Sequence, residues 1–322
     1  MTEYALVADI GGTQLRAALV DRQGIVIGRK AVQTDVHEGR DAVLKRLLMA
    51  LDSVAFMVDH SSLVGIGIAQ AGPTDSQTGM LYNPPNLPGW NEFSAKPILE
   101  EHFLLKSSHG NDATLAAFAE YAYGAGRGVS NMIYITVSTG IGGGIIINNR
   151  LYSGGRGFAG ELGHITIDPN GPNCACGSVG CLETLASGTA VARIAKERLT
   201  LREASILLDI TNGDIDQVDA RMVAGAAREG DLLSRAIMQE AGTNLGVGIV
   251  SLLNTLDPEL IIIGGGMSNS LDLLLPAVSD VIRKRAIVGY TGASPVVKAQ
   301  LADDTGLLGA AALAFDAYDR IK

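Results

Sequence analysis

The sequence predicts an α/β protein of two domains built to one plan, and three observations lead there. The chain has 322 residues, long for a single core, and domains of ordinary size would divide it in two. Its composition is 47% hydrophobic but only 5% aromatic, with 40 glycines, which suits packed strands and helices with close backbone approaches better than an all-β sandwich. The same local pattern also occurs twice, about half a chain apart: a strand, a Gly and Thr turn, a second strand, a tight turn and a third strand.

The first copy opens with a strand over Leu6 to Asp9, meets Gly11-Gly12-Thr13 and resumes as Leu15 to Val20. Asp21-Arg22-Gln23-Gly24 turns the chain into a third strand from Ile25 to Ile27 and beyond. Apolar residues then recur at three and four positions through Val43, Leu44, Leu47, Leu48, Leu51, Val54 and Val58, the period of a helix with one buried face. Leu63 to Ala69 is a strand that runs into the turn Ala71-Gly72-Pro73. Ser107-Ser108-His109-Gly110 reads as a loop, and Ala113 to Tyr123 as the helix after it. The second copy is Ile133 to Val137, the turn from Ser138 to Gly144, Ile145 to Ile147, the turn Asn148-Asn149, and Leu151-Tyr152. Leu260 to Ile263 is a short buried strand ending in Gly264-Gly265-Gly266, with a helix from Leu271. A small-residue helix from Thr305 to Ile321 closes the chain.

A net charge of −9 without a basic run argues against a nucleic-acid surface, because phosphate backbones demand clustered Lys and Arg. The N-terminal residues lack the charged and apolar regions of a signal peptide and enter a strand almost at once, so the mature protein is expected to start there. The longest apolar stretches, Met132 to Ile147 and Leu245 to Ile263, are broken by glycines or by Asn254, Asp257 and Glu259, so neither reads as a membrane span. Neither glycine turn is a P-loop or a Rossmann fingerprint: no Gly-Lys-Ser/Thr follows, and the next element is a strand. What remains is a pair of turns offering backbone N–H groups and threonine hydroxyls, suited to a polyphosphate.

All three cysteines, Cys174, Cys176 and Cys181, fall within eight residues, and His164 lies ten positions upstream of the first. Three thiols cannot all pair as disulfides, so the spacing points to a tetrahedral zinc held by three thiolates and one imidazole. Four protein ligands close such a site, making it structural, with about 10–16 kcal/mol of apparent binding free energy available to the loop's folding. Thiolate ligation implies a reducing compartment, expected to be the cytoplasm.

Asp9-Ile10-Gly11-Gly12-Thr13, the turn from Ser138 to Gly144 and Ile263-Gly264-Gly265-Gly266 resemble the phosphate and adenosine motifs of the superfamily of sugar kinases, heat-shock ATPases and actin. Within it, Glu161-Leu162-Gly163-His164 and the run from Cys174 to Glu183 are similar to the ROK family of bacterial sugar kinases and repressors, and the similarity spans nearly the whole chain. The resemblance implies a two-domain actin-like fold: a smaller domain of 1–118 with about 295–322, and a larger one of 119–294 carrying the zinc loop. It implies an ATP-dependent hexose kinase with zinc on His164, Cys174, Cys176 and Cys181. Sugar-binding residues would be Gly72, Asn111, Asp112, Glu161, His164 through its other ring edge, and Glu183. ATP and Mg²⁺ would meet Asp9, Gly11, Gly12, Thr13, Gln14, Thr139, Gly140, Gly142, Gly143, Gly264, Gly265 and Gly266. Trp90 would order a loop bordering the sugar, and His37, His60, His102 and His109 would be surface or loop residues. The family's kinases are commonly dimers or tetramers, so a homo-oligomer is expected.

Chemistry agrees with these roles. Phosphoryl transfer needs a base beside the attacking hydroxyl, and Asp112, at the positive end of the helix that follows it, would be held in its ionised form. Asn111 or Asp112 also suits a helix cap, and both roles can coexist. Glucose, giving glucose 6-phosphate, is the preferred acceptor by family frequency; N-acetylmannosamine, N-acetylglucosamine and fructose kinases share the motifs. A non-catalytic sugar sensor would be expected to have lost Asp9, Thr139 or Asp112, all present here. A polyphosphate donor is a further alternative, against which the triglycine adenosine turn argues. Two departures stand out. Gln14 occupies the place where family members often carry lysine, with Arg16 two residues on, and with the strand beginning near residue 5 the DNA-binding domain that the family's repressors prefix is not expected here.

Overall fold

The computed structural model describes residues 2–287 and 296–322, so the domain boundary expected near Ser294 lies outside the described residues. The chain forms two compact units, one of Met1–Ser130, Gly144–Gly160 and Gln300–Lys322, the other of Asn131–Gly143 and Glu161–Ala299.

In the first unit, β1 (Tyr4–Ile10), β2 (Gln14–Asp21), β3 (Val26–Gln33), β4 (Leu63–Gln70) and β5 (Ser107–Asn111) lie in the order β3-β2-β1-β4-β5. The first three run antiparallel, while β4 is parallel to β1 and β5 parallel to β4. Alternation along the central strands assigns each residue to a face. Leu6, Ala8 and Ile10 of β1, with Leu15, Ala17 and Leu19 of β2, pack with Val43, Leu47, Leu51 and Val54 of α1 (Arg40–Ala55) and with Leu99 and Phe103 of α2 (Lys96–Phe103). Ala5, Val7, Ala18 and Val20 point the other way, toward Leu115 and Ala119 of α3 (Asp112–Tyr123) and toward the C-terminal helix Thr305–Asp319. That helix presents Ala310, Ala311 and Ala314, small enough to lie directly on the strands. A Cβ at Gly67 of β4 would fall 1.9 Å from Ala310 O, so glycine there is what permits the approach. Trp90, 1% exposed, belongs to the first of these clusters and meets Phe93 edge to face at 5.2 Å.

The second sheet contains β6 (Met132–Val137), β7 (Ile141–Ile147), β8 (Arg150–Leu151), β9 (Leu260–Gly264) and β10 (Val296–Lys298) in the order β10-β9-β6-β7-β8. Read from the hairpin inward, this is the order of the first sheet, so the repeated sequence pattern marks a repeated topology. β9 is parallel to both β6 and β10 and buried along its whole length, which is why it reads as an unbroken isoleucine run rather than an alternation. Among the described residues, the second unit holds the α-helices α4 (Leu182–Ala186), α5 (Gly188–Thr200), α6 (Leu207–Ile210), α7 (Ala220–Glu229), α8 (Leu232–Leu256) and α9 (Leu271–Arg285). Asp219 and Asp231 cap α7 and α8, accepting from Met222 N and Ser234 N at 2.8 Å each. Among the described residues no helix is long and apolar enough to cross a membrane.

One expectation is overturned. Ser107 to Gly110 is a strand, not a loop, and His109 is 1% exposed rather than a surface residue. The segment lacks the apolar alternation of a strand because its polar groups are satisfied inside the protein, Ser107 Oγ lying 3.0 Å from His109 Nε2. His37, His60 and His102 are exposed.

Candidate functional site

In the first unit, Asp9 lies near the end of β1 and pairs in register with Arg16 of β2. The Arg16 guanidinium forms an ion pair with the Asp9 carboxylate and donates to Asp303 O, and the two side chains are 26% and 16% exposed. The carboxylate also packs against Gly306 in the first turn of the C-terminal helix, the electropositive end of that element. Asp9 is therefore held from two sides. The Gly11-Gly12-Thr13 turn beside it is closed by Gly11 N donating to Gln14 O at 3.1 Å and by Thr34 Oγ1 donating to Gly11 O at 2.7 Å. Gln14 and Thr13 are exposed. A cation does stand two residues further on, at Arg16, as a partner of Asp9.

β5 delivers Asn111 and Asp112 to the start of α3. Asn111 caps the helix, its Oδ1 accepting from Ala113 N at 3.0 Å and Thr114 N at 3.2 Å, while Nδ2 donates to Gly72 O at 3.1 Å. One amide thereby serves the helix with its oxygen and the Gly72 turn with its nitrogen. Asp112 is exposed, and its Oδ1 accepts from Ala113 N at 2.8 Å. Asn111, Asp112 and Gly72 are brought together as one group.

In the second unit, the turn between β6 and β7 is closed by Ser138 N donating to Gly140 O at 2.8 Å, and Gly188 N, opening α5, donates to Ser138 O at 2.7 Å. Glu183 of α4 accepts from Ile141 N at 2.8 Å, its carboxylate pressed against Gly140. This glutamate braces the turn. Gly142 and Gly143 continue it within β7; Gly264 ends β9, and Gly265 and Gly266 open the 3₁₀ turn that follows. Ser138, Thr139 and Gly266 line a cavity of about 540 Å³ whose remaining wall includes Thr189, Asp219, Arg221, Arg228 and Asn269. Arg228 is fixed there by Asp272 Oδ1 at 2.8 Å and Asn269 O at 2.9 Å. None of these wall residues carries a motif. Asp219 alone left a trace, as an acidic residue directly before a helix.

His164 ends a short 3₁₀ turn, Leu162–His164, and Cys174, Cys176 and Cys181 come from the loop before α4. Their donor atoms all lie within 4.8 Å of one another. A tetrahedral zinc with bonds of about 2.3 Å to sulfur and 2.0–2.1 Å to nitrogen requires S···S edges of about 3.8 Å and N···S edges of about 3.6 Å. Cys176 Sγ and Cys181 Sγ are 3.7 Å apart, and Cys174 Sγ is 3.6 Å from His164 Nδ1. Two edges match that tetrahedron, and the four residues could hold such an ion. Burial pushes the Cys181 thiol up to about 12, so a bound cation would have to displace its proton, while the Ser178 backbone N–H and the neighbouring thiols pull Cys176 below the ordinary range. With Nδ1 facing the sulfurs, His164 has Nε2 on the opposite ring edge. Glu161, at the head of the turn, is exposed.

Two α/β sheets of the same strand order, with glycine turns at corresponding hairpins, define the class to which this fold belongs, that of the two-domain sugar kinases and actin-like ATPases. The ROK family pattern matches residues 5–317, and the chain belongs to that family. It is 36% identical to a glucokinase of Halalkalibacterium halodurans over 94% of this chain and 92% of the relative. It is similar to the crystal structure of a ROK family glucokinase from Streptomyces griseus in complex with glucose and AMPPNP, with TM-score 0.79 and 35% identity over 97% of this chain and 99% of that one. A ROK hexokinase from Thermus thermophilus superposes with TM-score 0.83 at 32% identity, covering 99% of this chain and all of that one.

Proposed function

We propose that the chain is an ATP-dependent hexokinase that phosphorylates the 6-hydroxyl of glucose. The similarity to a glucokinase structure holding glucose and AMPPNP carries the reading. The cavity beside Ser138, Thr139 and Gly266 supports a nucleotide donor over a bare polyphosphate, because its walls reach past the glycine turn to side chains such as Arg228 and Asn269.

Asp112 is the general base: its carboxylate takes the proton of the 6-hydroxyl as that oxygen attacks the terminal phosphorus, and ADP leaves with the electrons of the broken P–O bond. Its position at the first turn of α3 favours the anion, and its bond from Ala113 N orients the carboxylate at the start of the helix. Asn111, the Gly72 backbone, Glu161, Glu183 and His164 Nε2 take the remaining sugar hydroxyls. The turn at Gly11, Gly12, Thr13 and Gln14 and the turn at Thr139, Gly140, Gly142 and Gly143 cradle phosphate oxygens, with Gly264, Gly265 and Gly266 under the adenosine. Asp9 would hold Mg²⁺, which neutralises charge on the transferring phosphate when bound. His164, Cys174, Cys176 and Cys181 would hold a structural zinc that fixes the loop carrying the sugar contacts.

Asp112→Asn tests the base. The variant should bind glucose with near-normal affinity and lose about 10²–10⁴ in kcat; turnover within about threefold of the parent chain would remove Asp112 from that role.

A further inference from the structure

Beneath the Gly72 turn, where β4 and β5 lie side by side, the first unit buries the polar side chains of Gln70 at 0%, His109 at 1% and Thr74 at 2% exposure, with Ser107 at 3% behind the imidazole. Nothing in the proposed chemistry uses them. Buried polar groups cost free energy unless paired and stabilise less than well-packed apolar side chains, so a connected set in a core tends to specify one arrangement. Their bonds run in one direction. Ser107 Oγ lies 3.0 Å from His109 Nε2, and His109 Nδ1 lies 3.5 Å from Gln70 Oε1, an acceptor, which fixes the neutral Nδ1–H tautomer with Nε2 accepting from the serine. Gln70 Nε2 donates onward to Thr74 Oγ1 at 3.5 Å and to Gly79 O at 3.4 Å. Thr74 Oγ1 donates to Gly72 O at 3.0 Å, the same carbonyl that accepts from Asn111 Nδ2 at 3.1 Å.

We propose that His109, Gln70 and Thr74 are positioning residues that set the Gly72 carbonyl and, through it, the orientation of the Asn111 amide. The amide nitrogen carries two hydrogens; aiming one at Gly72 O directs the other to where a sugar hydroxyl would meet it. The second contact of the chain, at Gly79, anchors the loop that leads away from the site. Gly79 has φ +70°, and a Cβ there would meet His109 Cγ at 3.0 Å, so the loop can close over the imidazole only with glycine at this point. Burial holds His109 well below the ordinary imidazole range, so it stays a neutral donor and acceptor through the working pH range.

The inference rests on the reading of Asn111 and Gly72 as sugar contacts, and two measurements separate its failure from that of the reading. The first is steady-state kinetics of His109→Leu and Thr74→Val on the full chain, the second variant being nearly isosteric in case the first folds poorly. The KM for sugar should rise about 5–10-fold, with kcat changed less than about threefold and the nucleotide KM unmoved. The double variant should cost no more than the worse single one, because both break one chain of bonds. His109→Asn, which keeps a donor and an acceptor, should restore about half of the loss on a logarithmic scale. An unchanged sugar KM in a folded, active variant overturns the proposal and leaves the kinase reading intact. The second measurement needs no substrate: the Asn111 side-chain amide resonances, assigned with Asn111→Asp, should shift and broaden in Thr74→Val. Unmoved resonances overturn the proposal whether or not the chain phosphorylates a sugar.

Discussion

Replacing Cys176 by serine tests the metal cluster, and the structure sets the size of the effect. Cys176 is the exposed member of the four and contributes the 3.7 Å edge to Cys181. Its loss leaves three donors and opens the site to water. The loop has support of its own: Cys174 N donates to Ser178 O at 2.8 Å, Gly180 N to Pro172 O at 2.8 Å and Ile167 N to Gly180 O at 2.9 Å. The unit should therefore stay folded without metal, at reduced stability. Zinc at a free concentration about 100-fold above its dissociation constant contributes about 2.7 kcal/mol to the folded state. At about 2–4 °C per kcal/mol for a body of this size, the second unit should melt about 5–11 °C lower once zinc is lost. Differential scanning fluorimetry, paired with metal analysis of the same samples, reads both quantities. The parent chain should carry one zinc and show that drop on chelation, whereas Cys176→Ser should carry little zinc and melt near the chelated value. Full zinc occupancy in Cys176→Ser would refute the ligand assignment, and an unchanged melting point after proven metal loss would refute the structural role.

Other perturbations follow from packing and burial. Gly67→Ala places a methyl 1.9 Å from Ala310 O, so the C-terminal helix must move off the sheet; denaturant unfolding should show a loss of about 1–3 kcal/mol in the first unit. Asp219→Ala removes the α7 cap, worth about 1 kcal/mol, and a wall of the 540 Å³ cavity, so the nucleotide KM should rise while the sugar KM holds. His109 sets a pH dependence: its folded value lies near 3 against 6.5 in the unfolded chain, so between those pH values the unfolded state binds a proton that the native state does not. Its contribution is fully present above pH 6.5 and falls by about 1.4 kcal/mol per unit on acidification. Urea midpoints at pH 7.5 and pH 5 should separate more for the parent chain than for His109→Leu, and equal separations would show that the imidazole charges without cost.

Features governed by neighbours in sequence were legible before the structure, and features governed by neighbours in space were not. The duplicated hairpin announced itself because both copies place glycine and threonine between apolar strands, and the two sheets share one order. The cysteines of the cluster sit on one short loop with His164 just upstream, so their spacing alone implied convergence. β5 escaped because Ser-Ser-His-Gly has no apolar alternation and owes its burial to the strand beside it. The cavity wall escaped for a similar reason: Thr189, Asp219, Arg228 and Asn269 come from separate segments that only the packing of the second unit brings together. Arg16 was visible as a departure from the family, but its pairing with Asp9 depends on strand register.

The most direct measurement is ADP release with Mg-ATP over a panel of hexoses and N-acetylhexosamines, with sugar binding followed separately by calorimetry. Saturable turnover on glucose, exceeding that on every N-acetylated sugar and abolished in Asp112→Asn, is the expected result. A preference for an N-acetylated sugar would contradict the choice of acceptor while keeping the chemistry. Sugar binding without turnover on any member of the panel would contradict the kinase assignment itself and identify the chain as a sugar sensor.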